Sequence, residues 1–239
     1  MSGVATGLTE AHIAKQTNDI EGAVTYDAPK RLYDVQQVQV NPEVQTENVP
    51  GDDGIAETIT QCLGGTVSVQ WAKQNSSEKS NLLGEKKLPN GIKISGETDD
   101  APYFAFGYKR TMTGGVIRYV WLLKVKFGQT QETADTKNPK NIQPQYPTVS
   151  GTASTRKADK QWKFYIDSDD PDFTTEVGNN WFTKATLETL ANAVNQVYGQ
   201  PATVTAIDAL PTTGIPGVIY HLTTDDTHHY WDGSKFVEI

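Results

Sequence analysis

The chain has 239 residues, of which 36% are apolar, with a mean hydropathy of −0.52 and a net charge of −8 from 29 acids and 21 bases. That length holds one large or two small domains with a sizeable core, and the acidic balance, with no basic run denser than Glu85-Lys86-Lys87, argues against a grip on nucleic acid through phosphate neutralisation. A single cysteine, Cys62, excludes an internal disulfide; residues 1–15 lack the apolar core of a signal peptide; and no apolar run approaches the roughly 18 residues of a membrane span.

Strand signals dominate the first two thirds. Residues 33–40 (YDVQQVQV) alternate Val38 and Val40 with glutamines. Residues 41–58 (NPEVQTENVPGDDGIAET) hold five acids, two prolines and no strong periodicity, and read as a long arm that is neither helix nor strand. Residues 65–71 (GTVSVQW) alternate Val67, Val69 and Trp71 with Ser68 and Gln70. Residues 75–84 (NSSEKSNLLG) predict a short helix, capped by Asn75 or Ser76 and stopped by Gly84. GIKISG at 91–96 and PYFAFGYKR at 102–110 follow as strands, the second apolar on both faces and ended by Thr113-Gly114-Gly115.

Residues 116–127 (VIRYVWLLKVKF) place Tyr119, Trp121, Leu123, Val125 and Phe127 at odd positions, which predicts one buried face. The even face is charged at its ends and apolar at Val120 and Leu122, so something must cover its middle. Residues 129–147 form a second polar arm with three prolines. VSGTAST (149–155) and QWKFYID (161–167) predict a hairpin across the polar segment Arg156–Lys160. Residues 179–198 recur at helical spacing through Phe182, Ala185, Leu187, Leu190, Ala193, Val194 and Val197, with Thr183 or Thr186 as cap and Gly199 and Pro201 beyond the end. From Gly199 the texture changes to four short strands, TVTAI, GVIYHL, THHYW and KFVEI, a small β-meander. The expected division is 1–198 and 199–239.

Reactive-site signatures are weak. His228 and His229 are adjacent and face opposite ways in a strand, so only one of them can join His221 across a hairpin. The run Asp167 to Asp172 fails the calcium-loop pattern, which needs Gly at position six and Glu at twelve. Gly64-Gly65 and Gly114-Gly115 lack the P-loop lysine, and no G-x-S-x-G elbow occurs. No catalytic residue, metal ligand or cofactor site is predicted.

Several of these stretches occur in a telling order: GLTEAHIAKQT, PGDDGIAET, APYFAFGYKR, VIRYVWLLKVKF, QPQYPTVSGTASTRKADKQWKFYIDSDDPDF and NNWF. Over about residues 7–185 the chain resembles the major tail proteins of long-tailed bacteriophages, the tail tube subunits of the phi13 group. Residues 186–239 lie outside the matching region. The resemblance implies an antiparallel β-sandwich or barrel with one or two flanking helices, assembled with identical copies into hexameric rings that stack into a tube. DNA would pass through it without specific binding, and tape-measure and terminator or initiator proteins would be the other partners. It implies no enzyme activity, no membrane, assembly in the bacterial cytoplasm and residence in the virion tail. Six copies would carry about −48 per ring, which suits a channel that must not hold DNA.

Under this reading the two arms reach other copies. The candidate contacts are Val49, Asp52, Asp53, Gly54 and Ile55 in the first arm, and Lys137, Asn141, Ile142 and Tyr146 in the second. Val120 and Leu122 would be covered by the flanking helix or by a neighbouring copy. An alternative reading is a carbohydrate- or cell-surface-binding β-sandwich module, with Tyr220, Tyr230 and Trp231 as exposed stacking platforms.

Overall fold

The aromatic-rich segment forms the strand around which the large sheet is organised, β9 (Ile117–Gly128). The computed structural model describes residues 3–52, 54–130, 132, 136, 144–197, 203–207, 209–210, 218–222, 224, 227–231 and 235–238. At 51, 55, 191–197, 203–207, 218–219, 230–231 and 238 only the backbone is described. One edge of β9 pairs antiparallel with β8 (Tyr103–Met112), which pairs with β1 (Ala5–Ile20). The far edge of β1 carries β2 (Ala23–Tyr26) and β3 (Lys30–Leu32). The other edge of β9 is shared end to end by β10 (Thr148–Ser154) and β11 (Lys163–Asp167). β10 continues the sheet through β5 (Gly54–Trp71) to β4 (Val35–Gly51). The protein is mainly β, a large antiparallel sheet with few helices, as the sequence predicts.

One apolar cluster joins Ala11 and Ile13 of β1 and Leu32 of β3 to Trp71 of β5, with Val38 of β4 packed against it. These strands lie at opposite ends of the strand order, so they share a core only if the sheet curls round it. The short helix α1 (Ser76–Leu83) adds Leu82 and Leu83, and beyond it the strand expected at 91–96 is only the two-residue β7 (Lys93–Ile94), paired with β6 (Lys86–Lys87). Asn75 caps it through Ser77 N at 2.9 Å and Gly84 ends it in the left-handed conformation, φ 71°, as predicted.

A second cluster lies on the outer face, where Trp121, Leu123 and Tyr119 meet Trp181 and Leu187 of the helical segment 175–197. The two clusters share β9 because of a bulge. Phe104 stands opposite Val125 and Phe106 opposite Leu122, so three residues of β8 face four of β9. The parity of the strand changes there. Tyr119, Trp121 and Leu123 point to the outer cluster, whereas Val125 and Phe127 join Leu122 in the inner one. The single odd-numbered face read from the sequence is therefore two half-faces. The even-numbered middle needs no neighbouring copy, and Leu122 shares its cluster with Leu82 and Leu83 of the short helix α1. Leu122 is enclosed by the curled sheet, and Val120, 2% exposed, is flanked in register by Tyr108 and Tyr165.

The predicted hairpin at 149–167 is not formed. β10 and β11 run in the same direction along β9 and do not pair with each other. The segment between them is a buried corner rather than a solvated turn. Arg156 is 1% and Asp159 4% exposed, and their side chains form a two-bonded ion pair. The Arg156 guanidinium also donates to the Tyr26 hydroxyl and to Leu187 O, both at 3.2 Å. The corner thus ties β2 and a helix to the sheet, which is why the chain stays on β9 instead of turning back.

The predicted helix at 179–198 is two helices, α2 (Thr175–Asn180) and α3 (Lys184–Val197). Thr183 breaks the run: its hydroxyl donates to Asn180 O and accepts from Thr186 N, which caps α3. Ala185, expected on the buried face, is exposed, whereas Leu187 is fully buried. Gly199 and Pro201 lie outside the described residues. The C-terminal strands β12 (Thr203–Ile207), β13 (Val218–Leu222), β14 (Thr227–Trp231) and β15 (Phe236–Glu238) form a sheet of their own. β12 and β13 are parallel, so the module is not a simple meander: parallel neighbours need a crossover connection rather than a tight turn.

Candidate assembly interface

The first arm is a strand ribbon, which corrects its reading as structureless. Residues 44–51 of β4 pair with residues 54–62 of β5, from Val44 opposite Cys62 to Gly51 opposite Gly54. β10 accompanies β5 only as far as Gly64. Beyond that point the ribbon is two-stranded, and about 27 Å long at ~3.4 Å per residue. β5 runs parallel to β9, since both are antiparallel to β10, so the ribbon is carried toward the end of the sheet where β8 turns into β9.

The root of the ribbon explains the glycine pair that no phosphate loop required. A Cβ on Gly64 would sit 2.0 Å from Ala153 O, and one on Gly65 would sit 2.4 Å from Asn41 O. Only glycines let three backbones converge there. Pro42 and Pro50 lie in β4, whose outer side is a sheet edge, the position where a strand tolerates proline.

The register sorts the ribbon's side chains. Glu47 faces Ile59 and Val49 faces Glu57, so one face carries two carboxylates and two aliphatic groups. Val49 is 38% and Ile59 52% exposed. Glu43, Glu47, Asp52 and Glu57 form no ion pair with any described residue. No Lys or Arg occurs from Asp34 to Ala72, so the ribbon is uniformly acidic.

Toward the sheet end to which the ribbon runs, one face groups several cations, beside the acidic turn Asp167–Asp172 that follows β11. Arg110 stands directly opposite Arg118, and β11 places Lys163 and Tyr165 on the same face. Arg118 is held by Asp167 in a bidentate pair, both contacts at 2.6 Å. Arg110 is exposed and has no acidic partner among the described residues; Lys163 is half-buried and likewise has none. Burial first, then the Arg118 and Arg110 charges, hold the Lys163 amine below its ordinary lysine value. The hydrogen bonds from Arg118 hold the Asp167 carboxyl below its ordinary value. Tyr165 is 60% exposed between these cations.

No family model and no curated protein matches this chain.

Of the predicted contact residues, Val49, Asp52, Gly54 and Ile55 come together at the ribbon's end, with Ile55 described by its backbone alone. Asp53, Lys137, Asn141 and Ile142 lie outside the described residues. Tyr146 is 43% exposed just before β10, away from that end. Tyr220 is not a platform: it is 5% exposed and packs edge-on against Phe236 at 5.2 Å. Tyr230 and Trp231 lie in β14, with side chains outside the described residues. His228, rather than His229, meets His221, the rings stacked at 4.6 Å. Among the described residues no group of three or more His, Cys, Asp or Glu could hold a metal ion, and no helix is long and apolar enough to cross a membrane. Glu47, Ile59, Arg110 and Lys163 escape sequence reasoning, because only strand register gathers them.

Proposed function

We propose that this chain is a structural protein that joins with copies of itself into stacked rings, forming the tail tube through which a long-tailed bacteriophage delivers DNA. The observation that carries this reading is the two-stranded ribbon. An isolated hairpin is at best marginal in water, and this one exposes aliphatic side chains, unpaired carboxylates and strand edges. Such a feature gains stability by docking on another molecule, and identical copies offer β11 and β4 as further edges left open by the described strands. The ordered sequence resemblance across residues 7–185 supplies the identity of the assembly, and the net charge of −8 per copy suits a channel that repels DNA. In this role the protein carries out no reaction. Hexameric rings, tape-measure and terminator or initiator partners, assembly in the bacterial cytoplasm and residence in the virion tail belong to the same proposal.

The test is negative-stain microscopy with light scattering across a concentration series. Rings or tubes of uniform diameter are expected at high concentration. A particle that stays monomeric up to its solubility limit, with or without tail extract from an infected cell as a nucleus, would defeat the reading.

A further inference from the structure

The ribbon face and the Arg110–Lys163 group are complementary, and the geometry points to contact between two copies: the Glu47–Ile59/Val49–Glu57 face of one docks on Arg110, Lys163 and Tyr165 of the next. This inference rests on the assembly reading above and names the surfaces it uses.

Three observations support it. First, the charges are unmatched among the described residues. The ribbon's acids have no cationic partner among the described residues, Arg110 and Lys163 have no acidic one, and Arg110 stands directly across from Arg118. Like charges directly opposite are unfavourable, and an arriving carboxylate relieves them. Second, the chemistry alternates alike on both sides. Carboxylates and aliphatics checker the ribbon face, while guanidinium, amine and an exposed tyrosine ring make up the acceptor. Third, ribbon and acceptor lie toward the same end of the sheet, so copies standing side by side in one orientation present them at one level. Such a contact is heterologous, and a heterologous contact closes into a ring when its rotation permits. Pro42 and Pro50 remove two donors from the β4 edge, which favours docking through side chains over simple edge pairing along β4.

The test uses the full-length chain with Cys62→Ser, so that each added thiol is the only one. Glu47→Cys and Arg110→Cys chains, one isotopically heavy, are mixed and treated with a short bismaleimide. Mass spectrometry should find the mixed product, position 47 of one chain linked to position 110 of the other, in excess over either same-site product, and salt should suppress it. In parallel, Arg110→Glu with Lys163→Glu should raise the concentration needed for assembly about tenfold or more. Combining these with Glu47→Lys and Glu57→Lys in one chain should restore it. Rings that form without the mixed product would overturn this docking and leave the tube reading standing. The mixed product in a closed two-copy particle would support the docking and overturn the tube reading. Wild-type chains that stay monomeric, with cysteine variants that yield no mixed product, would overturn both.

Discussion

Replacing Arg156 with methionine is the sharpest test of how the corner between β10 and β11 holds the sheet together. The guanidinium is 1% exposed and makes four hydrogen bonds: two to Asp159 and one each to Tyr26 and Leu187 O. Without it the Tyr26 hydroxyl still donates to Leu123 O at 2.9 Å, so the tyrosine is not orphaned. The Asp159 carboxylate, 4% exposed, keeps the Gln161 amide at 3.1 Å but loses its cation. Stranding one member of a buried pair costs about 3–5 kcal/mol. For a chain of this size that corresponds to a fall in Tm of about 6–20 °C. Asp159→Ala should cost about as much. The double variant should lie well above the sum of the singles, because replacing both partners removes the desolvated charge as well as the bond. Urea unfolding of the wild type, both singles and the double gives the cycle directly. Two additive singles, or a cost below about 1 kcal/mol for either, would refute the view that this pair locks the corner.

Four further outcomes follow from the same structure. His12 stacks on Phe182 with centroids 4.0 Å apart, and burial, aided by Arg31 and Lys109 against Glu10, holds its imidazole below the ordinary value. The unfolded chain then takes up that proton first, so stability should fall as pH drops from about 7 through the lowered value; His12→Phe should flatten that slope in urea midpoints. Asp167, held low by Arg118, contributes stability above its ordinary carboxyl value that is lost as pH falls through the lowered one. Asp167→Asn should therefore cost about 0.5–1 kcal/mol at neutral pH and nothing in strong acid, read by denaturation at both. Gly65→Ala should cost about 1–3 kcal/mol in the same assay, because its Cβ would meet Asn41 O at 2.4 Å; a neutral result would refute the three-strand convergence at the ribbon root. Amides of the ribbon should exchange with solvent faster than those pairing β8 with β9 in the dispersed protein, and slow on assembly; equal protection before assembly would show that the ribbon needs no partner.

Legibility in the sequence followed burial. Val67, Val69 and Trp71, the flanks of β9, and the Asn75 and Gly84 caps of α1 were readable because one buried face or one cap geometry leaves a local imprint. The ribbon was not readable as strand. Both its faces meet water, so no apolar alternation marks it, and Pro42 and Pro50 speak against a strand unless its edge position is known. The candidate interface divided the same way: Val49 and Asp52 could be singled out as members of an arm, but Glu57, Arg110 and Lys163 could not, since nothing local marks an acid or base as unmatched.

The amino-acid order alone determined the β-rich class, the acidity, the short capped helix and the aromatic core strand, because these depend on composition and on neighbours a few residues apart. Tertiary structure decided the rest: the bulge that splits β9 between two cores, the Arg156–Asp159 corner that keeps β11 on β9, the parallel β12–β13 pair, and the placing of a bare acidic ribbon toward the end that holds Arg110 and Lys163. Each of these depends on pairing between distant segments, and side-chain periodicity does not specify which partner a strand finds or in what register.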